Sequence, residues 1–239
     1  MLYQRSTLPL RTALAALLLV SFSSVSSRAQ DHPTDPTERR NEYGSGIGFQ
    51  ILLTNSGFGL GGYYHRELTR STSFMTEISF GSGKDERESK FFRFGSSYIP
   101  YKANYLLMAP VQAGIIHRLF RETIADNFRP YVQVTAGPTI GWEYPYFEDT
   151  NGNGRYDSSE EETFDSIGAL PKGDFRMGVG GTIALGAHFG LSKRVTQGVR
   201  IGYSLTHFFQ GIQLMEPQVE GAQRNFGTPT ITLTFGKLL

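Results

Sequence analysis

From Tyr43 to the end of the chain the hydrophobic pattern repeats every two residues. No other feature limits the fold as much. In the closing segment Ile231, Leu233 and Phe235 fall on one parity, and Thr230, Thr232 and Thr234 on the other. Val199, Ile201, Tyr203 and Leu205 alternate with Arg200, Gly202, Ser204 and Thr206. From Phe175 the apolar parity runs through Met177, Val179, Ile183, Leu185, Ala187 and Phe189. From Tyr131, Val132, Val134, Ala136, Ile140 and Trp142 oppose Gln133, Thr135, Gly137, Thr139 and Gly141. A helix would scatter these residues around its circumference, so the period predicts strands. Four earlier segments complete the set. Ile47, Phe49, Ile51 and Leu53 alternate with Gly46, Gly48 and Gln50. After the Asn55-Ser56-Gly57 turn, Phe58 to Leu68 returns as a hairpin partner. Phe74, Ile78 and Phe80 oppose Glu77, Ser79 and Gly81, and Tyr105 to Phe120 is long enough for one more strand. The count is eight antiparallel strands. Pro110 and Pro138 fall inside two of them, where bulges are expected to accommodate them.

The two parities differ in a way that indicates the surroundings. A soluble barrel fills its centre with the apolar set and shows water a charged exterior. Here the polar set is rich in Gly, Thr, Ser and Gln and poor in Lys and Glu. Among the last four strands its clear charges are Arg176 and Arg200. The apolar set is free of charge there except for His207. Lipid disfavours an Arg or Lys near the midplane by about 2–4 kcal/mol, which accounts for that exclusion. The apolar residues, Val132, Val179, Ile201 and Leu233 among them, are therefore expected to point outward into acyl chains. Tyr43, Phe58, Phe74, Phe120, Phe128, Trp142, Tyr144, Tyr146, Phe175 and Phe189 gather near segment ends, where aromatic girdles meet headgroups. No run of 18 apolar residues exists to make a transmembrane helix. The mean hydropathy of -0.27 says nothing against strands, because alternation dilutes it.

Residues 1–29 read as a secretory signal: Arg5 and Arg11, the apolar stretch Ala13 to Phe22, and small residues before a cut after Ala29. Residues 30–42, with two Pro and no large apolar side chain, read as a flexible periplasmic lead-in. The barrel domain is 43–239. Removing three Arg and no acids leaves 20 basic and 22 acidic residues, so the processed chain is near neutral. That balance gives no footing for a nucleic-acid partner. The absence of Cys excludes disulfides, thiolate metal sites and Cys nucleophiles. Joints near 69–72, 121–127 and 192–198 are short. Those at 84–104, 143–172 and 210–225 are long. Short periplasmic turns, long outer loops and an even strand count place both termini in the periplasm.

The signal ending at Ala29, the Gly-rich alternating strands and the terminal stretch Thr230 to Gly236 together resemble the eight-stranded outer-membrane β-barrels of Gram-negative bacteria, of the broad OmpX/OmpW-like type. The resemblance covers about residues 43 to 239 and is architectural. It implies an all-β, up-and-down transmembrane barrel embedded in outer-membrane lipid. The family usually closes on an aromatic that the barrel-assembly machinery reads. This chain ends Lys237-Leu238-Leu239, with Phe235 set inward.

Three groups of residues are candidates for chemistry. Asp149 to Glu160 matches the twelve-residue calcium loop. Asp149, Asn151, Asn153, the Arg155 carbonyl, Asp157 and Glu160 stand at the ligand positions, and Gly154 at the sharp turn. Hard oxygens at that spacing can wrap one Ca²⁺, and an extracellular site of this kind binds weakly, on the order of 10⁻⁴ to 10⁻³ M. The competing reading is a hydrophilic Asn/Gly loop. Glu67, Glu77, Arg176 and Arg200 fall on the lumen side, where a small barrel has room only for side chains, so a packed polar plug is expected over an ion path. The third candidate is His207, in Tyr203 to Gly211. The segment resembles the strand of lipid A deacylases that carries His-x-Ser-Asn. Phe209 occupies the nucleophile's place and Gln210 replaces Asn, so the imidazole has no hydroxyl to activate. Ser204 falls on the opposite face.

The function expected is a non-catalytic outer-membrane barrel presenting loops to an unknown extracellular ligand, with one loop ordered by Ca²⁺. Two alternatives stand beside it: a lipid A-modifying hydrolase centred on His207, and a soluble secreted barrel holding an apolar ligand. Phe91, Phe92, Tyr98, Tyr101 and Tyr105 could form a contact surface or pack the barrel mouth.

Overall fold

The computed structural model describes residues 45–239 except 86, 89–90, 94–95, 121–123, 125–126, 158–161, 166, 190–194 and 220. The signal, the lead-in, Tyr43 and Glu160 lie outside the described residues. Eight strands close a barrel: β1 (Gly46–Thr54), β2 (Gly57–Glu67), β3 (Thr72–Gly83), β6 (Asn104–Arg118), β7 (Phe128–Pro145), β8 (Asp174–Phe189), β9 (Val195–Ile212) and β10 (Gln223–Leu238). Each pairs antiparallel with its chain neighbour, and β1 closes the ring against β10. Closure leaves no edge, so every strand has a partner on both sides, as a hydrocarbon environment demands. A two-stranded hairpin, β4 (Phe91–Arg93) with β5 (Ser96–Tyr98), sits in the connection between β3 and β6. Among the described residues, helix is confined to one 3-10 turn, Leu170–Lys172.

The strands sort their side chains by parity. Ile201 is 63% exposed on the outside, whereas Arg200 beside it is 3% exposed inside. Val179, Val134, Ile47 and Phe49 also face out, while Gln50, Gln133, Thr230, Thr232 and Thr234 are buried within. Val132 and Leu233 are half-buried on the outer face. Phe49 and Phe235, opposite one another in β1 and β10, stack on that face at 5.1 Å. The β1–β2 hairpin turns on Asn55-Ser56 alone, since Thr54 already pairs with Gly57.

The prolines are handled differently from expectation. Neither produces a bulge. In the β3–β6 ladder Ile78 faces Val111 and Gly81 faces Met108, so the register is unchanged across Pro110 although pairing lapses there. The β6–β7 register likewise passes Pro138 without shift, and Pro138 pairs with Val179 on its other side. A missing N–H deletes one rung of the ladder but adds no residue, so nothing has to bulge. The irregularity lies instead between Gln223 and Asn225, where β10 meets β9. Close approach of β6 and β7 depends on glycine: a Cβ at Gly114 would overlap the Val134 carbonyl oxygen, and one at Gly137 that of Val111.

The predicted aromatic girdles hold for Phe58, Phe74, Phe120, Phe128, Phe175 and Phe189, which are exposed outside. Tyr144 and Tyr146 are buried and do not belong to them. Both pack on Tyr105, whose hydroxyl donates to the Phe164 carbonyl of the returning loop. β6 and β7 thus run up to a region that a loop covers, and rings there meet protein.

Candidate functional site

Three layers fill the lumen. The middle layer is a charged network. Arg200 on β9 forms an ion pair with Glu77 on β3, Nη2 to Oε2 at 2.7 Å. Its Nη1 donates to Gln133 Oε1 at 2.6 Å and its Nη2 to Gln50 Oε1 at 3.0 Å. The two amides turn their own N–H groups onto Glu77, Gln133 at 3.1 Å and Gln50 at 3.3 Å. The Thr135 hydroxyl lies within hydrogen-bond distance of Glu77 at 3.2 Å and of Gln112 at 2.7 Å, and Gln112 also accepts from Thr182. A buried ion pair persists only when hydrogen bonds satisfy the remaining donors and acceptors, and here side chains from β1, β3, β6, β7, β8 and β9 supply them. The network spans the bore and plugs it.

Apolar layers lie on both sides. Towards the start of β1 and the end of β10, Tyr63, Met75, Ile116 and Tyr131 cluster. Towards the long loops Leu106, Phe208, Ile212, Leu214 and Phe226 form a second cluster, with the Phe208 and Phe226 rings edge to face at 5.7 Å. Sequence parity assigned Phe208 and Phe226 no role, because inward apolar residues share the parity of the polar set.

The four predicted lumen charges do not form one group. Glu77 and Arg200 are together. Arg176 lies nearer the loops and pairs with Glu143, Nε to Oε2 at 2.7 Å, and also reaches Gln210. Glu67 lies at the other end, lining a chamber with Arg118, Arg129 and His188. The separation has a simple cause: parity assigns a side chain to the lumen but says nothing of its height, and eight packed strands leave no room for charges to move between layers.

The long loops interlock above the upper apolar layer. Lys102 pairs with Met215 across two loops, Ala103 N–H donates to Leu214 O, and Glu216 N–H donates to Tyr101 O. Tyr101 takes a left-handed backbone, φ 58°, to make that contact. Lys102 forms a buried ion pair with Glu88. Glu143 accepts from Gln213 N–H at 2.7 Å, so the layer holding Arg176 is tied directly to the cap. Of the loop aromatics, Tyr105 packs the mouth, while Tyr101 and Phe91 are exposed. The side chains of Phe92 and Tyr98 fall outside the described set.

The Asp149 loop forms a compact turn on this cap. Asp149 accepts N–H groups from Gly152, Asn153 and Gly154. Asn151 accepts from Asn153, and Asn153 from Arg155. Gly152 and Gly154 adopt positive φ, 71° and 68°, which other residues resist. Phe147 pairs with Thr163 at the base, and Tyr156 N–H donates to Glu216 at 3.1 Å. The donor oxygens are hard and share one turn, which suits Ca²⁺. Among the described residues no three His, Asp or Glu side chains come together as a metal site, and Glu160 lies outside them.

His207 lies on the outer face of β9, its Nδ1 2.7 Å from Asn225 Oδ1. Ser204 lies inside, bonded to Thr182 at 2.8 Å. The barrel wall separates the two, so they form no nucleophile–base pair.

A closed eight-stranded barrel with an apolar outer belt and a sealed polar centre is a membrane-spanning barrel of the outer-membrane kind. No protein-family model and no curated protein matches the chain. Similar solved structures include Neisserial surface protein A, with TM-score 0.37 and 10% identity over 81% of this chain and 92% of that one. Ail, the attachment invasion locus protein of Yersinia pestis, has TM-score 0.37 and 11% identity over 81% and 95%. The N-terminal β-barrel domain of Pseudomonas aeruginosa OprF has TM-score 0.36 and 9% identity over 80% and 96%.

Proposed function

We propose that this protein is a non-catalytic surface barrel of the outer membrane whose interlocked loop cap engages an extracellular ligand. The observation that carries the reading is the division of labour along the axis. The bore is closed by the Glu77–Arg200 network, while the loops are strapped together through Lys102, Met215 and Glu216. A conduit would need an open lumen; a presenting surface needs preorganised loops, which lose little entropy on binding. On this reading the short-turn end, where β1 starts and β10 finishes, faces the periplasm and the cap faces outward.

Ca²⁺ is the proposed cofactor of the Asp149 loop. Asp149, Asn151, Asn153, the Arg155 carbonyl, Asp157 and Glu160 would hold it, and the ion would supply charge that tightens the turn. Support comes from the donor set and from the Asp149 carboxylate already gathering the N–H groups of the turn. Surface proteolysis of intact cells, with Ca²⁺ or with chelator, tests both parts. Cleavage in the cap from outside, slowed by Ca²⁺ in the wild type and not in Asp149→Asn, is the expected result. Loops protected in intact cells but cut in lysates would overturn the orientation. Equal digestion with Ca²⁺ and chelator would remove the ion.

A further inference from the structure

On the loop side of the Glu77–Arg200 pair the bore holds a cavity of about 870 Å³, mouth included. Small residues hollow it out. Gly59 on β2 and Gly81 on β3 face one another across the ladder and both line its wall. Gly81 shares the inward parity of Glu77 and Ser79. A Cβ built on it would meet only the Gly59 Cα, at 3.7 Å, so a side chain there would enter the cavity. The mouth lies at the turn joining the two shortest barrel strands, β1 with 9 residues and β2 with 11. Bonds from two other strands fix that turn: Thr228 Oγ1 on β10 donates to Asn55 Oδ1, and Ser82 Oγ on β3 donates to Ser56 O at 3.0 Å.

The lining selects the chemistry of a guest. Among the described lining residues the charges are Glu77, Arg200 and Lys84, which follows β3, and the first two neutralise one another. Ser79, Ser204, Thr206 and Thr230 put hydroxyls on the wall, each able to donate and to accept. Leu52, Met108 and Phe226 add apolar surface beside them. An apolar guest would strip water from the hydroxyls and return no hydrogen bonds. We infer that this cavity binds a neutral saccharide of one or two rings. Ring hydroxyls exchange hydrogen bonds with the Ser and Thr wall, and the C–H faces of the ring lie against Phe226 and Met108. No residue that straps the cap together lines the cavity, so the site stands or falls apart from the function proposed for the cap.

The test titrates glucose, galactose, N-acetylglucosamine and maltose into the full chain, folded in an amine-oxide detergent that has no sugar headgroup. Methionine methyl NMR follows binding. Met108 lines the cavity, whereas Met75 lies in the opposite apolar cluster and Met177 faces outward. A saturable shift of Met108, with Met75 and Met177 unmoved, is expected for at least one of the four sugars. Gly81→Leu, judged folded by heat-modifiable gel mobility, should weaken it roughly tenfold or more by filling the cavity. Thr206→Val, nearly the same shape, should weaken it severalfold by removing one hydroxyl, and carries the comparison should Gly81→Leu not fold. Thr232→Val removes a buried hydroxyl outside the cavity and should leave binding unchanged. The inference is overturned if none of the four sugars shifts Met108 saturably. It is equally overturned if all the methionines drift together, or if folded cavity variants bind as the wild type does.

Discussion

The loop end of the barrel and its middle hold charge in different ways. At the loop end two cations of the cap have a carboxylate in hand: Glu88 for Lys102, Glu143 for Arg176. At the end where β1 starts and β10 finishes, Arg118, Arg129, His65, His188 and Glu67 line one chamber. Between them Glu77 and Arg200 neutralise each other within a full set of hydrogen bonds. Internal neutralisation makes a rigid closure that needs nothing from outside. One cylinder can therefore be a plug in the middle and a shaped surface above.

The sharpest way to break this contrast is Arg200→Met. It leaves the Glu77 carboxylate buried without its cation and is expected to cost about 3–5 kcal/mol in urea unfolding from lipid vesicles. Adding Glu77→Gln should recover most of that loss, which a mere packing defect would not allow. Ile201→Arg, one residue along on the outer face, should cost about 2–4 kcal/mol by placing charge in hydrocarbon. If Ile201→Arg proves neutral, the apolar parity does not face lipid. Gly114→Ala should cost about 1–3 kcal/mol, because its methyl meets the Val134 carbonyl and the β6–β7 ladder must give way.

Smaller effects concern the cap. Glu216→Ala removes the acceptor of the Tyr156 N–H and should cost about 1 kcal/mol locally. Faster cleavage between 149 and 157, with the unfolding midpoint unmoved, is the expected signature. The smallest effect is a pH response of the turn after Phe164. Asp165 accepts N–H groups from Gly168 and Ile167, which hold its carboxyl below its ordinary value. A depressed carboxylate adds stability above its unfolded pKa and loses it as pH falls through the folded one. The turn should thus loosen only on acidification below pH ~4. Trp142, the single tryptophan, donates to Leu170 O at 2.8 Å and reports the change by fluorescence. Asp165→Asn should flatten that response.

Much of this molecule could be read from the alternation alone. That period separates Ile201 from Arg200 and Leu233 from Thr232, because successive side chains of a strand must point to opposite faces. The membrane reading follows, since lipid excludes charge from one face and a narrow bore tolerates it on the other. The tight turn at Asn55-Ser56-Gly57 was likewise legible. Other features were not. Parity put Glu67, Glu77, Arg176 and Arg200 inside, but only the ladder registers show that they stand at three heights and that Arg176 meets Glu143. Phe208 and Phe226 carried no signal, because an apolar residue on the polar parity looks like noise until loops close over it. Pro110 and Pro138 suggested bulges, yet the register passed them unchanged.

What the residues determined by themselves was local: strand after strand, each with a lipid face and a lumen face, fixed by side-chain alternation and by the cost of charge in hydrocarbon. The tertiary structure decided which lumen groups meet, at what height each stands and how the loops lock. Those contacts join residues such as Glu77 and Arg200, on strands far apart in the chain, and their partnership depends on strand stagger around a closed ring.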